Sequence, residues 1–136
     1  MPRDARHNAK LSNYDFDFFF NGLEEHRLLV QRCSNCSTLR NPPGPICASC
    51  RSFDWVEAAL SGRGIVYTYT IHYHPRLPEF ETPHIVVAAE MDEGVRVVAD
   101  LAGVAPGDVR IDMPVDVEFY RRGDLATFRF VKQTVS

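Results

Sequence analysis

Cysteine is absent from most of this 136-residue sequence, because all four cysteines lie between Cys33 and Cys50. Lysine occurs only at positions 10 and 132, and tryptophan occurs once. No apolar run approaches the roughly 20 residues that a membrane-spanning helix requires, and the opening stretch MPRDARHNAKLSNYDF lacks the apolar region of a secretory signal. We therefore expect a cytoplasmic protein with no membrane partner. Cysteine pairs in a reducing compartment are more often metal ligands or redox centres than disulfides.

The cysteines form two Cys-x-x-Cys pairs, Cys33 with Cys36 and Cys47 with Cys50, on either side of a Pro-rich loop. Four thiolates from two such pairs complete a tetrahedral zinc site with no open coordination position. We therefore predict a zinc ribbon whose structural Zn²⁺ supplies much of its folding energy. Iron could take the same ligands. Buried reduced cysteines and a redox pair are further alternatives, although neither pair opens the helix of a βαβ unit, as a thioredoxin-like pair does.

An N-terminal helical segment is predicted before the ribbon. Phe16, Phe19, Phe20 and Leu23 recur at the i, i+3, i+4 and i+7 spacing of an apolar helix face. This stripe packs either on the chain's own domain or on a partner chain, because so many aromatic residues on a short helix are typical of an interface. The interface candidates are Phe16, Phe19, Phe20, Leu23, Tyr73 and Phe80.

The pattern changes to period two from Gly62 onward, which is typical of β-strands. In the longest strand we expect Ile65, Tyr67 and Tyr69 on one face and Val66 and Thr68 on the other. About five strands with no crossover helix suggest a small closed antiparallel barrel of the OB-fold type. The expected fold is mainly β, with a helical segment at 1–27, a zinc ribbon at 28–57 and an OB-fold domain at 58–136.

The order of these features resembles the OB-fold, zinc-ribbon acyl-CoA-associated proteins, long known as a domain of unknown function. The resemblance covers roughly residues 16–131. The matching positions are Gly22, Leu23, Leu28, 31–33, 42–50, Trp55, 61–64, 92–94 and 113–119. It implies a rubredoxin-like zinc ribbon, a C-terminal OB-fold barrel and an accessory role beside thiolase-like enzymes that act on acyl-CoA thioesters.

One loop resembles a particular subgroup of this family. The stretch HYHPRLPEFETPH, residues 72–84, is similar to a loop of the members that partner lipid-transfer-protein-like thiolases in steroid side-chain breakdown. The resemblance thus implies a hetero-oligomer in which this chain completes an enzyme for retro-aldol cleavage of a β-hydroxyacyl-CoA. A biosynthetic thiolase or a MaoC-like hydratase is the alternative partner. We expect no catalytic residue in this chain itself.

Positive charge in the ribbon suggests where coenzyme A would bind. Residues 31–53 include three arginines and no acidic residue, and guanidinium groups are suited to phosphate. Arg63 stands between two glycines, which would let a phosphate approach closely. The candidates for contact with CoA or the acyl group are Arg40, Arg51, Arg63, His72 and His74. Arginines that merely keep the ribbon soluble, in a purely structural subunit, are the alternative.

A nucleic-acid-binding module is the rival from a different class, because zinc ribbons and OB-folds both serve that purpose. The net charge of −3 and the scarcity of lysine count against it, since counterion release would add little affinity. Tyr67, Tyr69 and Tyr73 could still stack on bases. We expect no nucleic-acid partner.

Overall fold

A computed structural model describes residues 16–73 and 83–134 of the chain. These residues form two compact units, the first comprising residues up to Leu60 together with Phe119–Thr127, and the second Ser61–Glu118 and the residues from Phe128 onward. The division into 1–27, 28–57 and 58–136 stays a prediction. His74, Phe80 and the first 15 residues lie outside the described residues. None of the described helices is long and apolar enough to cross a bilayer.

The first unit opens with the expected helix, α1, which spans Asp17–Glu24. It buries the face that carries Phe18, Gly22 and Leu23. Gly22 allows a close approach to the following strand, because a Cβ atom there would lie 2.7 Å from Leu29 Cδ1. The buried face is therefore rotated from the expected stripe, since Phe18 replaces the other phenylalanines as its main aromatic residue.

A three-stranded antiparallel sheet completes the ribbon. Its strands are β1 (Leu29–Cys33), β2 (Leu39–Arg40) and β3 (Trp55–Ala59), in the order β2-β1-β3. Cys33 pairs with Trp55 across β1 and β3, and the Trp55 ring lies 4.7 Å from the ring of Phe18. The helix and the ribbon therefore share one aromatic contact inside the first unit.

The second fold element is a closed five-stranded barrel, which confirms the predicted OB-fold. The strands are β4 (Arg63–His72), β5 (His84–Met91), β6 (Arg96–Ala102), β7 (Pro114–Arg122) and β8 (Leu125–Lys132). Their order is β4-β5-β6-β8-β7, and β6 pairs with β8 in parallel. An odd number of strands cannot alternate in direction around a closed ring, so one parallel neighbour is required. The predicted antiparallel OB-fold barrel is therefore confirmed, with one parallel pair that the sequence analysis did not include.

Along strand β4, the alternation of core-facing and outward-facing side chains is interrupted once. The register with β5 shifts between Val66 and Thr68. A bulge adds one residue to one strand and reverses which residues face the core beyond it. Ile65 and Thr68 therefore pair with Glu90 and Ala88, which lie on the same face of β5. We expected Ile65, Tyr67 and Tyr69 on one face of the strand, and this was wrong. The bulge is defined by the pairing with β5, which the sequence of β4 alone does not reveal.

The tip of the β7–β8 hairpin belongs to the first unit. Within that unit, the ring of Phe119 stacks on His26 with centroids 5.4 Å apart. Arg121 also forms an ion pair with Glu24, with an N–O distance of 3.1 Å. The hairpin thus carries two contacts to the end of α1 and the turn that follows it.

Candidate functional site

The two cysteine pairs have the same backbone geometry. In the first, Ser37 N–H donates to Cys33 O at 2.9 Å, and in the second, Arg51 N–H donates to Cys47 O at 2.9 Å. Ser37 and Arg51 both have a φ of 65°, in the left-handed region that favours glycine. Neither residue is glycine, so the chain accepts local backbone strain at the same point of each turn. Each turn thus contributes two sulfur atoms to the same cluster.

The four sulfurs form one cluster. Cys33 Sγ lies 3.5 Å from Cys50 Sγ, and Cys36 Sγ lies 3.6 Å from Cys47 Sγ. All four Sγ atoms lie within 4.8 Å of one another. A zinc–sulfur bond of about 2.3 Å in a tetrahedron places neighbouring sulfurs roughly 3.8 Å apart. The cluster therefore fits a structural Zn²⁺, as the cysteine spacing predicted.

Backbone amides favour the thiolate form that a metal needs. Hydrogen bonds from two backbone amides lower the pKa of Cys33, with the amide of Cys36 contributing more than that of Asn35. The amides of Cys50 and Ser49 lower the pKa of Cys47 to about 6. An amide that donates to sulfur stabilises the negative charge. The first cysteine of each turn, Cys33 or Cys47, is thus favoured as a thiolate by the backbone of its own turn.

Arg40 differs from the other candidate arginines. Arg51 and Arg63 are exposed, whereas Nε, Nη1 and Nη2 of Arg40 are all buried and have no hydrogen-bond partner. Arg40 lies opposite Gln31 in the β1–β2 pair. Gln31 is itself buried, and its Oε1 accepts a hydrogen bond from Gly44 N–H at 2.8 Å. The basic character of the ribbon could be predicted from the sequence, but the burial of the Arg40 guanidinium could not.

A histidine pair lies where β4 and β5 meet at the loop that joins them. His72 pairs with His84, and their ring centroids lie 5.2 Å apart. His84 Nε2 lies 3.7 Å from Asp100 Oδ1 on β6. His72 was predicted to contact CoA or the acyl group; it lies beside His84, which in turn lies beside Asp100. Strand register, which brings these residues together, cannot be read from their spacing along the chain.

The interface candidates differ in exposure. Leu23 is 2% exposed and belongs to the core of its own unit, whereas Tyr73 is 52% exposed. The phenylalanines at positions 16, 19 and 20 are half-buried. The ribbon also exposes three apolar side chains that were not predicted as interface residues, namely Ile46, Phe53 and Val56. Phe53 is the most exposed of these, at 72%.

Two family models match consecutive parts of the chain. One is described as ChsH2, rubredoxin-like zinc ribbon domain, and matches residues 20–56. The other is described as ChsH2, C-terminal OB-fold domain, and matches residues 55–120. Together they cover the ribbon and most of the barrel in the order that the sequence predicted.

Three curated proteins illustrate what this chain is similar to. A probable enoyl-CoA hydratase alpha subunit of Thermomonospora curvata is 45% identical over 79% of this chain. The 3-oxo-4,17-pregnadiene-20-carboxyl-CoA hydratase alpha subunit of Mycobacterium tuberculosis is 36% identical over 85% of it. The chain spans only 34% and 38% of the length of these two proteins. A DUF35 domain-containing scaffold protein of Methanocaldococcus jannaschii is 37% identical, with 72% of this chain and 71% of that protein covered.

Two solved structures share the fold. A chain of a structure described as Ltp2-ChsH2(DUF35) aldolase has a TM-score of 0.84 and 41% identity, with 88% of this chain and 95% of that chain covered. A DUF35 family protein of unknown function from Sulfolobus solfataricus has a TM-score of 0.65 and 15% identity, with 96% and 95% covered. The second likeness supports the fold alone.

Proposed function

This chain belongs to the DUF35 family, in the form that carries ChsH2-type zinc ribbon and OB-fold domains, and we propose that it is a non-catalytic accessory subunit of a thiolase-like enzyme. The likeness to one chain of the Ltp2-ChsH2(DUF35) aldolase carries this proposal, because it covers nearly the whole of that chain at 41% identity. The scaffold proteins among its relatives support the same kind of role. The enzyme would act on acyl-CoA thioesters within a hetero-oligomer.

The reaction that we propose for the complex is retro-aldol cleavage of a steroid side-chain β-hydroxyacyl-CoA. That reaction needs a base for the β-hydroxyl group and donors that stabilise the thioester enolate. Within the described part of this chain, the cysteines are committed to the metal cluster. They are then not free to act as an acid or a base, and we assign both tasks to the partner enzyme. This chain would orient the substrate and complete the site.

Zinc in this proposal has a structural role. Cys33, Cys36, Cys47 and Cys50 would hold it, and four thiolate ligands leave no position for substrate. Coordination by all four thiolates would hold the two cysteine turns together and stabilise the folded ribbon. The ribbon's exposed apolar residues Phe53 and Val56 would then be presented on a rigid element.

Direct contact with coenzyme A is a separate part of the proposal. Arg51 and Arg63 are exposed, and a guanidinium group can bind a phosphate with two parallel hydrogen bonds. His72 would lie nearer to the acyl group. His74, which is outside the described residues, was assigned the same role from the sequence.

A hydratase complex is a second candidate function, favoured by the 45% identity to the probable enoyl-CoA hydratase alpha subunit. In that case the partner would add water across a double bond instead of cleaving a carbon–carbon bond. The accessory role of the ribbon and barrel would be the same in both complexes.

The test is an activity assay on the complex purified from the native host. The purified complex, its partner alone and this chain alone would each be given a β-hydroxyacyl-CoA and an enoyl-CoA with a steroid side chain. We expect the complex to release the aldol cleavage products and this chain alone to have no activity. Hydration of the enoyl-CoA without cleavage would favour the second candidate. Turnover by this chain alone would contradict the accessory role.

A further inference from the structure

The buried guanidinium of Arg40 is a charge for which the described chain provides no partner. Nε, Nη1 and Nη2 are all buried without a hydrogen bond. Its neighbour across the strand, Gln31, already accepts a hydrogen bond from Gly44 N–H with its side-chain oxygen. The arrangement therefore leaves all of the donors on the guanidinium unused.

Such a group cannot lose its charge to lower the cost of burial. An arginine side chain stays protonated at any pH that a folded protein survives. A buried ion normally requires an opposite charge and hydrogen bonds. Residues 31–53, which surround Arg40 in the sequence, contain no aspartate or glutamate. None of the residues in 16–73 and 83–134 gives the guanidinium a hydrogen bond, so an anion other than these residues would have to compensate its charge.

The same fold provides partners for arginines at other positions. Arg129 forms an ion pair with Glu118 at 2.7 Å. Arg110 and Arg121 donate hydrogen bonds to nearby oxygen atoms. The lack of a partner at Arg40 is thus a local feature of the ribbon and not a general property of this chain.

We propose that Arg40 is part of an oxyanion site that takes a phosphate group of a coenzyme A thioester. A guanidinium fork matches the oxygens of a phosphate with two parallel hydrogen bonds. Residues 31–53 carry two further arginines, Arg32 and Arg51, and no acidic residue, and this net positive charge of the segment favours a ligand with several negative charges over a single carboxylate. Strand β2 is an edge of the ribbon sheet, so one of its sides is not covered by a neighbouring strand of that sheet.

Binding at this site has a physical consequence. The guanidinium is covered in the free chain, so the ligand must displace what covers it. The unfavourable burial of an unpaired charge is removed at the same moment, because the phosphate supplies the missing acceptors. We therefore expect phosphate-bearing ligands to stabilise the free chain.

The experiment is a calorimetric titration of the zinc-loaded full chain with coenzyme A, dephospho-coenzyme A, pyrophosphate and inorganic phosphate. The variants are Arg40→Gln, Arg40→Lys and, as a control with the same loss of charge, Arg27→Gln. Arg27 is exposed in the first unit and has only a distant ion pair with Glu25. We expect Arg40→Gln to weaken coenzyme A binding by about 10-fold or more, as the loss of a charge-assisted pair implies. Arg27→Gln should change the Kd by less than about twofold.

The probes identify the group that is bound. Equal affinity for coenzyme A and dephospho-coenzyme A would assign the diphosphate, and weaker binding of the latter would assign the 3′-phosphate. Binding of inorganic phosphate as tight as that of coenzyme A would support the oxyanion site and overturn its assignment to coenzyme A. Arg40→Lys keeps the charge but loses the fork, so we expect an intermediate affinity.

A second measurement is independent of whether the variants fold. The Arg40 Nε–H resonance of the unsubstituted, ¹⁵N-labelled chain should shift on addition of coenzyme A and stay unchanged on addition of chloride at equal ionic strength. No shift, together with unchanged affinity in Arg40→Gln, would overturn the proposal. Loss of zinc from Arg40→Gln with coenzyme A binding intact would also overturn it, because Arg40 would then compensate the metal–thiolate charge.

This inference rests on the proposed function, and the two can fail separately. Capture of the partner enzyme by a chain that binds no phosphate would overturn the Arg40 site and leave the accessory role intact. Weaker capture of the partner by Arg40→Gln, without any phosphate binding, would identify the anion as a carboxylate of the partner and would overturn the phosphate site.

Discussion

Gly64 lies where strands β4 and β5 approach each other closely. A Cβ atom at this position would lie 2.7 Å from the carbonyl oxygen of Glu90 and 3.0 Å from Met91 Sδ. The carbonyl belongs to the backbone and cannot move aside as the end of a side chain could. Position 64 therefore requires glycine, because the barrel leaves no space for a Cβ atom there.

We expect Gly64→Ala to lower the free energy of unfolding by about 1–3 kcal/mol, because the added methyl group overpacks the strand pair. Gly107→Ala is the matched control, since nothing lies within 4 Å of a Cβ atom there. Thermal unfolding followed by circular dichroism measures both. Equal midpoints for the two variants would show that the strands separate easily at Gly64.

Acid should release the zinc. The amides of Cys50 and Ser49 lower the pKa of Cys47 from 9.0 to about 6, so the thiolate is favoured above that pH and its stabilising contribution is lost as the pH falls through that value. Bound zinc favours the thiolate further, because protons and metal compete for the same sulfur.

We therefore expect zinc to stay bound at pH 7 and to be released with a midpoint below pH 6. A zinc-sensitive dye at a series of pH values measures the release. Cys36→Ser, with three thiolates, should release zinc at a higher pH than the unsubstituted chain. Complete release of zinc from the unsubstituted chain at neutral pH would contradict a four-thiolate site.

At the scale of elements, the two faces of helix α1 have different tasks. Phe18 is buried and lies against Trp55, whereas Phe20 is half-buried. The first residue belongs to the packing of the ribbon, and the second remains an interface candidate. The pair allows stability and partner binding to be separated.

We expect Phe18→Ala to cost about 3–5 kcal/mol of stability, because it removes a buried ring. Phe20→Ala should leave stability within about 1 kcal/mol and weaken partner binding. Trp55, the only tryptophan, reports unfolding of the ribbon by its fluorescence, and a pull-down reports partner binding. The prediction fails if Phe20→Ala destabilises the ribbon as much as Phe18→Ala does.

The elements show which parts of the fold the sequence could predict. Helix α1, the ribbon and the five strands follow from local spacing and periodicity, so they were predicted correctly. The bulge at Tyr67 and the histidine pair at His72 depend on strand register, which no local pattern specifies. The rotated face of α1 depends on how closely Gly22 approaches Leu29.

At the scale of the whole molecule, the chain folds as two compact units, and the tip of the β7–β8 hairpin belongs to the first. Arg121 and Glu24, which form an ion pair there, are 97 positions apart in the sequence. Such a contact could not be predicted from either segment alone. The burial of the Arg40 guanidinium could not be predicted for the same reason, since composition shows charge but not which residues pack over it.

Removal of the metal should affect the two units differently. We expect chelation to abolish hydrogen-exchange protection in β1 and β3, because the ribbon depends on its metal. Strands β4 to β6 should keep their protection, because the barrel has its own core of buried residues, including Val66, Val87 and Val115. Loss of protection in both units at the same chelator concentration would show that they unfold together.

The accessory role of the chain is tested most directly by native mass spectrometry of the complex that this chain captures in its native host. We expect a thiolase-like protein bound at a fixed ratio, with one zinc for each copy of this chain. A zinc-loaded chain recovered alone, or with nucleic acid in place of an enzyme, would contradict it.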